Sequence, residues 1–203
     1  IGVGDLPRRT SAALDTPAVI GGYSRLVIDC NRRPDDPTSI AQESDRIPVP
    51  GNRGLTAADR RARAEAIFHP YHDAIDRILA AKRGTGPTLA VISLHSFTPR
   101  MNGFARPWHV GVLWNRDPRL PVPVMARLLK EAGIVVGDNE PYSGRDEHGY
   151  SIPAHAERVA APHCVIEMRQ DLITDPAGIA RWSDCLIRAI RDILADEGVY
   201  RPL

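Results

Sequence analysis

His163-Cys-Val-Ile-Glu-Met-Arg-Gln-Asp171 runs through Leu172-Ile-Thr-Asp175 into Pro176-Ala-Gly-Ile-Ala-Arg-Trp-Ser-Asp-Cys-Leu-Ile-Arg-Ala-Ile-Arg-Asp-Ile-Leu-Ala195. The first part predicts a buried strand over His163 to Met168. Strand alternation puts Val165, Glu167 and Arg169 on one face, against Ile166 and Met168 on the other. The second part predicts a helix over Pro176 to Ala195. Asp175 stands where an N-cap accepts free amides, and Pro176 takes the first helical position, where its missing N–H costs nothing. Ile179, Trp182, Leu186, Ile190 and Ile193 then form one apolar stripe. A buried strand feeding an amphipathic helix is the unit from which α/β sheets are built.

The same pattern recurs outward from that stretch. Runs rich in Val, Ile and Leu at Tyr23 to Cys30, Thr88 to Leu94, His109 to Trp114 and Ile134 to Val136 each predict a buried strand. Helical patterns lie between them at Thr56 to Lys82 and Pro123 to Ala132. In the first, Thr56 is the expected N-cap, Ile67, Tyr71, Ile75, Ile78 and Leu79 share a face, and Pro70 bends the helix. This alternation predicts an α/β sandwich around a largely parallel sheet flanked by helices, in one domain over residues 1–203. Two stretches rich in Pro, Gly, Asp and Ser break it: Arg33 to Leu55 and Gly137 to Pro162. Both adjoin strands, and read either as walls of a site or as surface loops.

Composition narrows the class of function. With 43% hydrophobic residues in 203, the chain can bury a core without disulfides. Its 26 basic residues nearly cancel 25 acidic ones, which argues against nucleic acid or an anionic membrane as partner and for a small molecule. Cys30, Cys164 and Cys185 are an odd set with no Cys-x-x-Cys spacing. They suit a reducing cytoplasm rather than a disulfide framework or a structural zinc cluster. No apolar run reaches membrane-spanning length and no signal peptide opens the chain, so a soluble protein is expected. The sequence opens at Ile1, and the residues after it read as the middle of a helix, so further sequence is expected upstream.

Three polar groups of residues sit at or just after expected strand ends. Ser24-Arg25-Leu-Val-Ile-Asp29-Cys-Asn31-Arg32 closes an apolar run with guanidinium and amide donors suited to a carboxylate, although Asp29 and Arg32 also read as a surface ion pair. Ile92-Ser-Leu-His95-Ser96-Phe-Thr-Pro99 ends in a histidine that reads as a zinc ligand or as a hydrogen-bonded structural residue. A nucleophilic Ser96 is weaker, since no Gly-x-Ser-x-Gly elbow surrounds it. Glu167 is a carboxylate on a strand otherwise built for burial, so it reads as a proton shuttle or as the partner of Arg169.

Taken in order, Tyr23-Ser-Arg-Leu-Val-Ile-Asp-Cys-Asn-Arg, Leu94-His-Ser-Phe-Thr-Pro, Arg106-Pro-Trp-His-Val-Gly-Val-Leu, Asp138-Asn-Glu-Pro-Tyr-Ser-Gly and Ile166-Glu-Met-Arg-Gln-Asp-Leu-Ile resemble the motifs of the N-formylglutamate amidohydrolase family over nearly the whole chain. That family is similar to zinc carboxypeptidases and aspartoacylase, which implies a three-layer fold around a mixed sheet and zinc as cofactor. The resemblance implies hydrolysis of an N-acyl amino acid, N-formyl-L-glutamate first. It makes His95 a zinc ligand, with the other ligands expected upstream of Ile1. Asn31 and Arg32 become the holders of the substrate carboxylate, Arg25 the residue facing the oxyanion, and Glu167 the proton relay. Tyr142 and Arg169 join as substrate-binding residues. His69 and His72 lie outside the metal role. His109, His148, His155 and His163 read as supporting or structural, with His155 the one expected to approach the site. The competing readings are a non-catalytic carboxylate-binding domain of the same fold, a hydrolase of another acyl amino acid, and a serine hydrolase using Ser96.

Overall fold

The structure, a computed structural model, describes residues 2–83, 89–146 and 149–202. Helix α1 (Asp5–Leu14) comes first, followed by a small hairpin of β1 (Glu43–Ser44) and β2 (Ile47–Pro48), then helices α2 (Ala57–Arg63) and α3 (His69–Arg83). Strand β3 (Val91–Phe97) precedes a second hairpin of β4 (Arg100–Met101) and β5 (Phe104–Ala105). Next come β6 (Val110–Leu113), α4 (Pro121–Leu128), β7 (Val136–Asp138), β8 (His163–Arg169) and α5 (Pro176–Leu194).

The central sheet has the order β3-β8-β6-β7. Strands β3 and β8 run parallel, as do β6 and β7, while β6 and β8 are antiparallel, so the sheet is mixed. Helix α5 starts as the sequence predicts. The Asp175 side chain accepts from Gly178 N at 2.8 Å, and Pro176 sits in the first turn. Its stripe of Trp182, Leu186, Ile190 and Ile193 joins Leu6 of α1 and Val124 and Leu128 of α4 against Val110, Val112, Cys164, Ile166 and Met168 of the sheet. Each fully buried aliphatic side chain of this kind contributes roughly 1.5–3 kcal/mol, and this cluster is the main source of stability.

The expected helix over Thr56 to Lys82 forms with its cap and its bend. Thr56 and Asp59 make a capping box. Pro70 is accommodated by a π turn over Ala64–Phe68, which carries the helix from α2 into α3. The expected strand at Thr88 to Leu94 forms three residues further on, and Thr88 itself lies outside the described residues.

Tyr23 to Cys30 is not a strand. Tyr23 is exposed and Leu26, Val27 and Cys30 are only partly buried, while Ile28 enters a second, smaller cluster with Ile40, Ala64 and Phe68. Its backbone is held by side chains instead of a neighbouring strand: Asn52 Nδ2 donates to Leu26 O at 2.7 Å and Arg63 Nη1 to Val27 O at 2.8 Å. Asp29 N donates to Ser39 O at 2.7 Å. Carbonyls satisfied in this way have no need of a ladder. The long stretches are also more ordered than loops. The first holds the β1–β2 hairpin and short 3-10 turns, and the second ends in helical turns over Ile152–Val159.

Candidate active site

One row of Cα partners crosses the sheet. His95 of β3 pairs with Glu167 of β8, Glu167 with Gly111 of β6, and Gly111 with Gly137 of β7. Residues paired in register share a face, so the imidazole and the carboxyl stand side by side on the face opposite Ile166 and Met168. The two glycines leave the other half of the row low, and the Asn139–Tyr142 loop descends onto it. A Cβ on Gly111 would meet Glu140 O at 1.9 Å, and one on Gly137 would meet Glu140 Cβ at 2.8 Å. Apolar packing on the far side of the sheet therefore fixes both the His95–Glu167 pair and the loop beside it.

Glu167 is 6% exposed, and its Oε2 has no hydrogen-bond partner among the described residues. Burial pushes its pKa up to about 8, while the guanidiniums of Arg25 and Arg106 pull it the other way. An unpartnered buried carboxyl oxygen is costly unless something else is meant to meet it. His95 Nε2 lies 3.0 Å from Ser93 Oγ. Burial holds its imidazole below the usual histidine range, with Asp29 raising it and Arg25 and Arg32 lowering it. The neutral ring is the form that accepts a proton or a metal.

The segment over 25–32 brings its charges to this row. Arg25 Nη2 meets Asp29 Oδ2 at 2.7 Å, and the other oxygen of Asp29 accepts from Asn31 N at 2.8 Å. Asn31 Oδ1 accepts from Tyr150 N at 3.0 Å and Ser151 N at 2.9 Å, which leaves its Nδ2 as a donor with no partner among the described residues. Arg32 Nη1 donates to Asn31 O at 3.0 Å. The expected clamp residues are thus assembled, but on a loop and not on the strand the sequence suggests.

The other guanidinium that acts on Glu167 is that of Arg106, which the sequence reading left without a role. Only 8% exposed, it lies over the Tyr142 and Phe97 rings at 5.0 and 5.8 Å and donates to Tyr142 Oη at 3.2 Å. Its remaining contacts are Thr98 and Met101 Sδ, and it has no carboxylate partner among the described residues. A buried guanidinium without an anion is a binding site for one. No local signal in the sequence marks it, because the rings it lies over, Phe97 and Tyr142, come from distant parts of the chain.

Other expectations change. Arg169 is tied to Asp171 at 2.8 Å, and its Nη1 reaches the carbonyls of Arg106, Pro107 and Trp108 at 3.3–3.5 Å. It braces the turn that carries Arg106 and is not the partner of Glu167. Ser96 pairs with Met168, so alternation turns it to the face opposite His95, away from the base a nucleophilic serine needs. His155 lies in the helical turns that pack against β8 and β3. It is 3% exposed and bonded to His72 and Asp76. His109 accepts from Val135 N at 2.9 Å, and His163 contacts Ala161 O at 2.8 Å. His148 lies outside the described residues.

Among the described residues no group of three His, Cys, Asp or Glu comes together to hold a metal. A catalytic zinc takes three protein ligands and keeps a position for water, so His95 alone does not make such a site. No helix among these residues is long and apolar enough to cross a membrane.

Comparison with known proteins agrees with the geometry. A gene product of Agrobacterium tumefaciens has a crystal structure that matches with a TM-score of 0.87 at 30% identity, over 96% of this chain and 77% of that one. The N-formylglutamate amidohydrolase of Ralstonia eutropha matches with a TM-score of 0.62 at 20% identity, over 94% of this chain and 84% of that one. None of the curated proteins matches. The family model of N-formylglutamate amidohydrolase covers residues 2–174, which includes every residue of the row and of the segment facing it. The chain belongs to the N-formylglutamate amidohydrolase family.

Proposed function

We propose that the protein hydrolyses the amide bond of an N-acyl amino acid bearing carboxylates, with N-formyl-L-glutamate as the first substrate to test. The observation that carries this reading is Glu167 Oε2, buried beside His95 without a hydrogen-bond partner among the described residues and under the influence of the Arg25 and Arg106 guanidiniums. A carboxyl whose pKa lies near working pH suits a relay that takes a proton from water and returns it to the leaving amine. Arg25 is the donor for the oxyanion that forms as the carbonyl becomes tetrahedral. A fixed donor in that place typically contributes about 3–4 kcal/mol to the barrier reduction. Asn31 Nδ2 and Arg32 take one carboxylate of the substrate, and Arg106 with Tyr142 takes the other. Arg106, buried and with no carboxylate partner among the described residues, favours an amide bearing a further carboxylate over a neutral one.

Zinc belongs to this reading through the family resemblance and the position of His95. When bound, it acidifies water towards a pKa of about 7 and polarises the carbonyl. His95 would supply one ligand, and the described residues do not complete the set of three. A reducing compartment such as the cytoplasm fits three cysteines that are all free thiols.

The test is formate release from N-formyl-L-glutamate by the purified protein, measured with added zinc and with a chelator, beside elemental analysis. Turnover that falls for N-formylglutamine supports the reading. Tight binding of the substrate with no hydrolysis under any metal condition would establish a carboxylate-binding domain instead.

A further inference from the structure

Behind Asn31 and Arg32 runs a chain of hydrogen bonds that the proposed chemistry does not use. His72 Nε2 lies 2.8 Å from Cys30 O, His72 Nδ1 lies 2.7 Å from His155 Nε2, and His155 Nδ1 lies 2.9 Å from Asp76 Oδ1. Arg158 Nη2 donates to the same Asp76 oxygen at 2.7 Å. The two imidazoles are 6% and 3% exposed and meet edge to edge, with 16° between their planes.

Counting hydrogens along this chain fixes its charge. A carbonyl only accepts, so His72 Nε2 carries the hydrogen of the first contact. Asp76 shares its oxygen with a guanidinium and stays ionised, so His155 Nδ1 carries the hydrogen of the last one. Two bare ring nitrogens do not approach to 2.7 Å, so the middle contact holds a third hydrogen. Two neutral imidazoles have only two N–H hydrogens between them, so the pair bears one positive charge. Asp76 adjoins His155, whereas His72 faces a carbonyl, so the hydrogen count places the charge at the Asp76 end of the pair.

The chain closes into a ring with the clamp. Asn31 Oδ1 accepts from Tyr150 N and Ser151 N, which open the helical turns that carry His155. The segment is therefore held at Asn31 by the start of those turns and at Cys30, through His72, by their middle. We propose that His72 and His155 are positioning residues, a singly protonated pair anchored on Asp76 that holds the Cys30 carbonyl and so sets Asn31 and Arg32 to receive the substrate's carboxylate. This rests on the reading of Asn31 and Arg32 as the clamp.

Loss of the shared proton leaves lone pairs opposed, either between the two rings or between His155 and Asp76, and the clamp is released on the alkaline side. The titratable and charged groups facing the pair are His69, Tyr71 and Asp76 of α3, the Cys30 thiol, Tyr150 and Arg158. Burial pushes the Cys30 thiol up to about 11 and raises Tyr71, so neither changes charge on the near-alkaline limb.

The test joins nitrogen-15 NMR of the wild-type imidazoles with steady-state kinetics over the same pH range. Expected at neutral pH are a His155 with both nitrogens protonated and a His72 that is the Nε2–H tautomer. KM for N-formyl-L-glutamate should then rise about tenfold in step with proton release from His155, with kcat changed less than about twofold. Asp76→Asn should shift both the NMR titration and the KM limb to lower pH. A neutral His155 at pH 7, or a KM limb unmoved by Asp76→Asn, overturns the proposal. Should the protein bind but not hydrolyse, the hydrolytic reading fails by itself. Kd measured calorimetrically then replaces KM, with the same two outcomes.

Discussion

His95 and Glu167 stand on strands held by apolar packing, whereas Arg25, Asn31 and Arg32 stand on a segment held almost wholly by polar side chains. Beneath β8, Ile166 and Met168 are fully buried against α5 and α4. Beneath the 25–32 segment, Ile28 alone is deeply inserted, and Asn52, Arg63 and His72 supply the rest of the support. Apolar packing is non-directional and shared among many contacts, so it fixes a position stiffly but not selectively. Hydrogen bonds from a few side chains fix direction, and each is a single point of failure. The two halves of one site should therefore fail differently when disturbed.

The largest effect is expected at the packed half, on chemistry rather than folding. Glu167→Gln should lower turnover by about 10²-fold or more with substrate affinity nearly unchanged, because it removes the proton relay and nothing else. Burial keeps the wild-type carboxyl neutral up to about 8, so the amide mimics the form the fold already accommodates. A folded pKa above the unfolded value means that the stability gained from staying neutral is complete below the ordinary carboxylate range. It is lost as pH rises through about 8. The variant should escape that loss, which thermal melts at pH 7 and pH 9 will show. Turnover within a few-fold of wild type would remove Glu167 from the mechanism.

The comparison itself is tested by a matched pair. Ile190→Ala leaves a cavity under the sheet and should cost about 2–5 kcal/mol globally, with activity per folded molecule retained. Asn52→Leu should cost a similar total, about 2–4 kcal/mol, because it strands the carbonyls of Leu26 and Ala41 and the guanidinium of Arg63. Its damage should be local. Hydrogen exchange should quicken over residues 26–32 while β8 and α5 keep their protection, and kcat/KM should fall about tenfold. Equal quickening everywhere would mean that the segment and the sheet form one cooperative unit.

The same contrast explains what the sequence discloses. Asp175, Pro176 and the stripe from Ile179 to Ile193 define α5 because cap and periodicity are local signals, and Thr56 with Pro70 does the same for α2 and α3. Tyr23 to Cys30 misleads because its composition suits a strand, while the groups that satisfy its carbonyls lie 26 and 36 residues further on, at Asn52 and Arg63. No window-based pattern contains that information. Glu167 stands out as a carboxylate on an apolar strand, but its position beside His95 arises from strand pairing, which periodicity does not encode. Arg106 is silent for a related reason. A guanidinium is noticed next to an acid, and here its neighbours are two aromatic rings.

Arg32→Ala should act on recognition by about tenfold or less in kcat/KM, and selectively. The lost donors serve a remote carboxylate, so the penalty should be large for N-formyl-L-glutamate and small for an analogue in which that carboxylate is an amide. Equal losses for both substrates would show that Arg32 supports the loop and does not hold the ligand.

The smallest effect is expected at Thr56, where it separates two ways in which the polar half might be supported. Thr56 Oγ1 accepts from Asp59 N at 3.2 Å, and Asp59 Oδ2 accepts from Thr56 N at 2.9 Å, so the cap organises the first turn of α2. Helix α2 ends in Arg63, which holds Val27 O, Asn52 Oδ1 and Gly51 O. Thr56→Ala should cost about 1 kcal/mol in stability, the usual worth of such a cap. It leaves all three Arg63 contacts in place, so kcat/KM should change less than about threefold. The hydrogen bonds from Thr56 hold the Asp59 carboxyl below its usual pKa. A depressed folded pKa means that this contribution is present above the ordinary carboxylate range and lost as pH falls through the folded value. The stability gap between wild type and variant should accordingly narrow in denaturant melts at acid pH. If Thr56→Ala instead reduces kcat/KM as much as Asn52→Leu does, the helix as a body supports the segment and the individual hydrogen bonds do not.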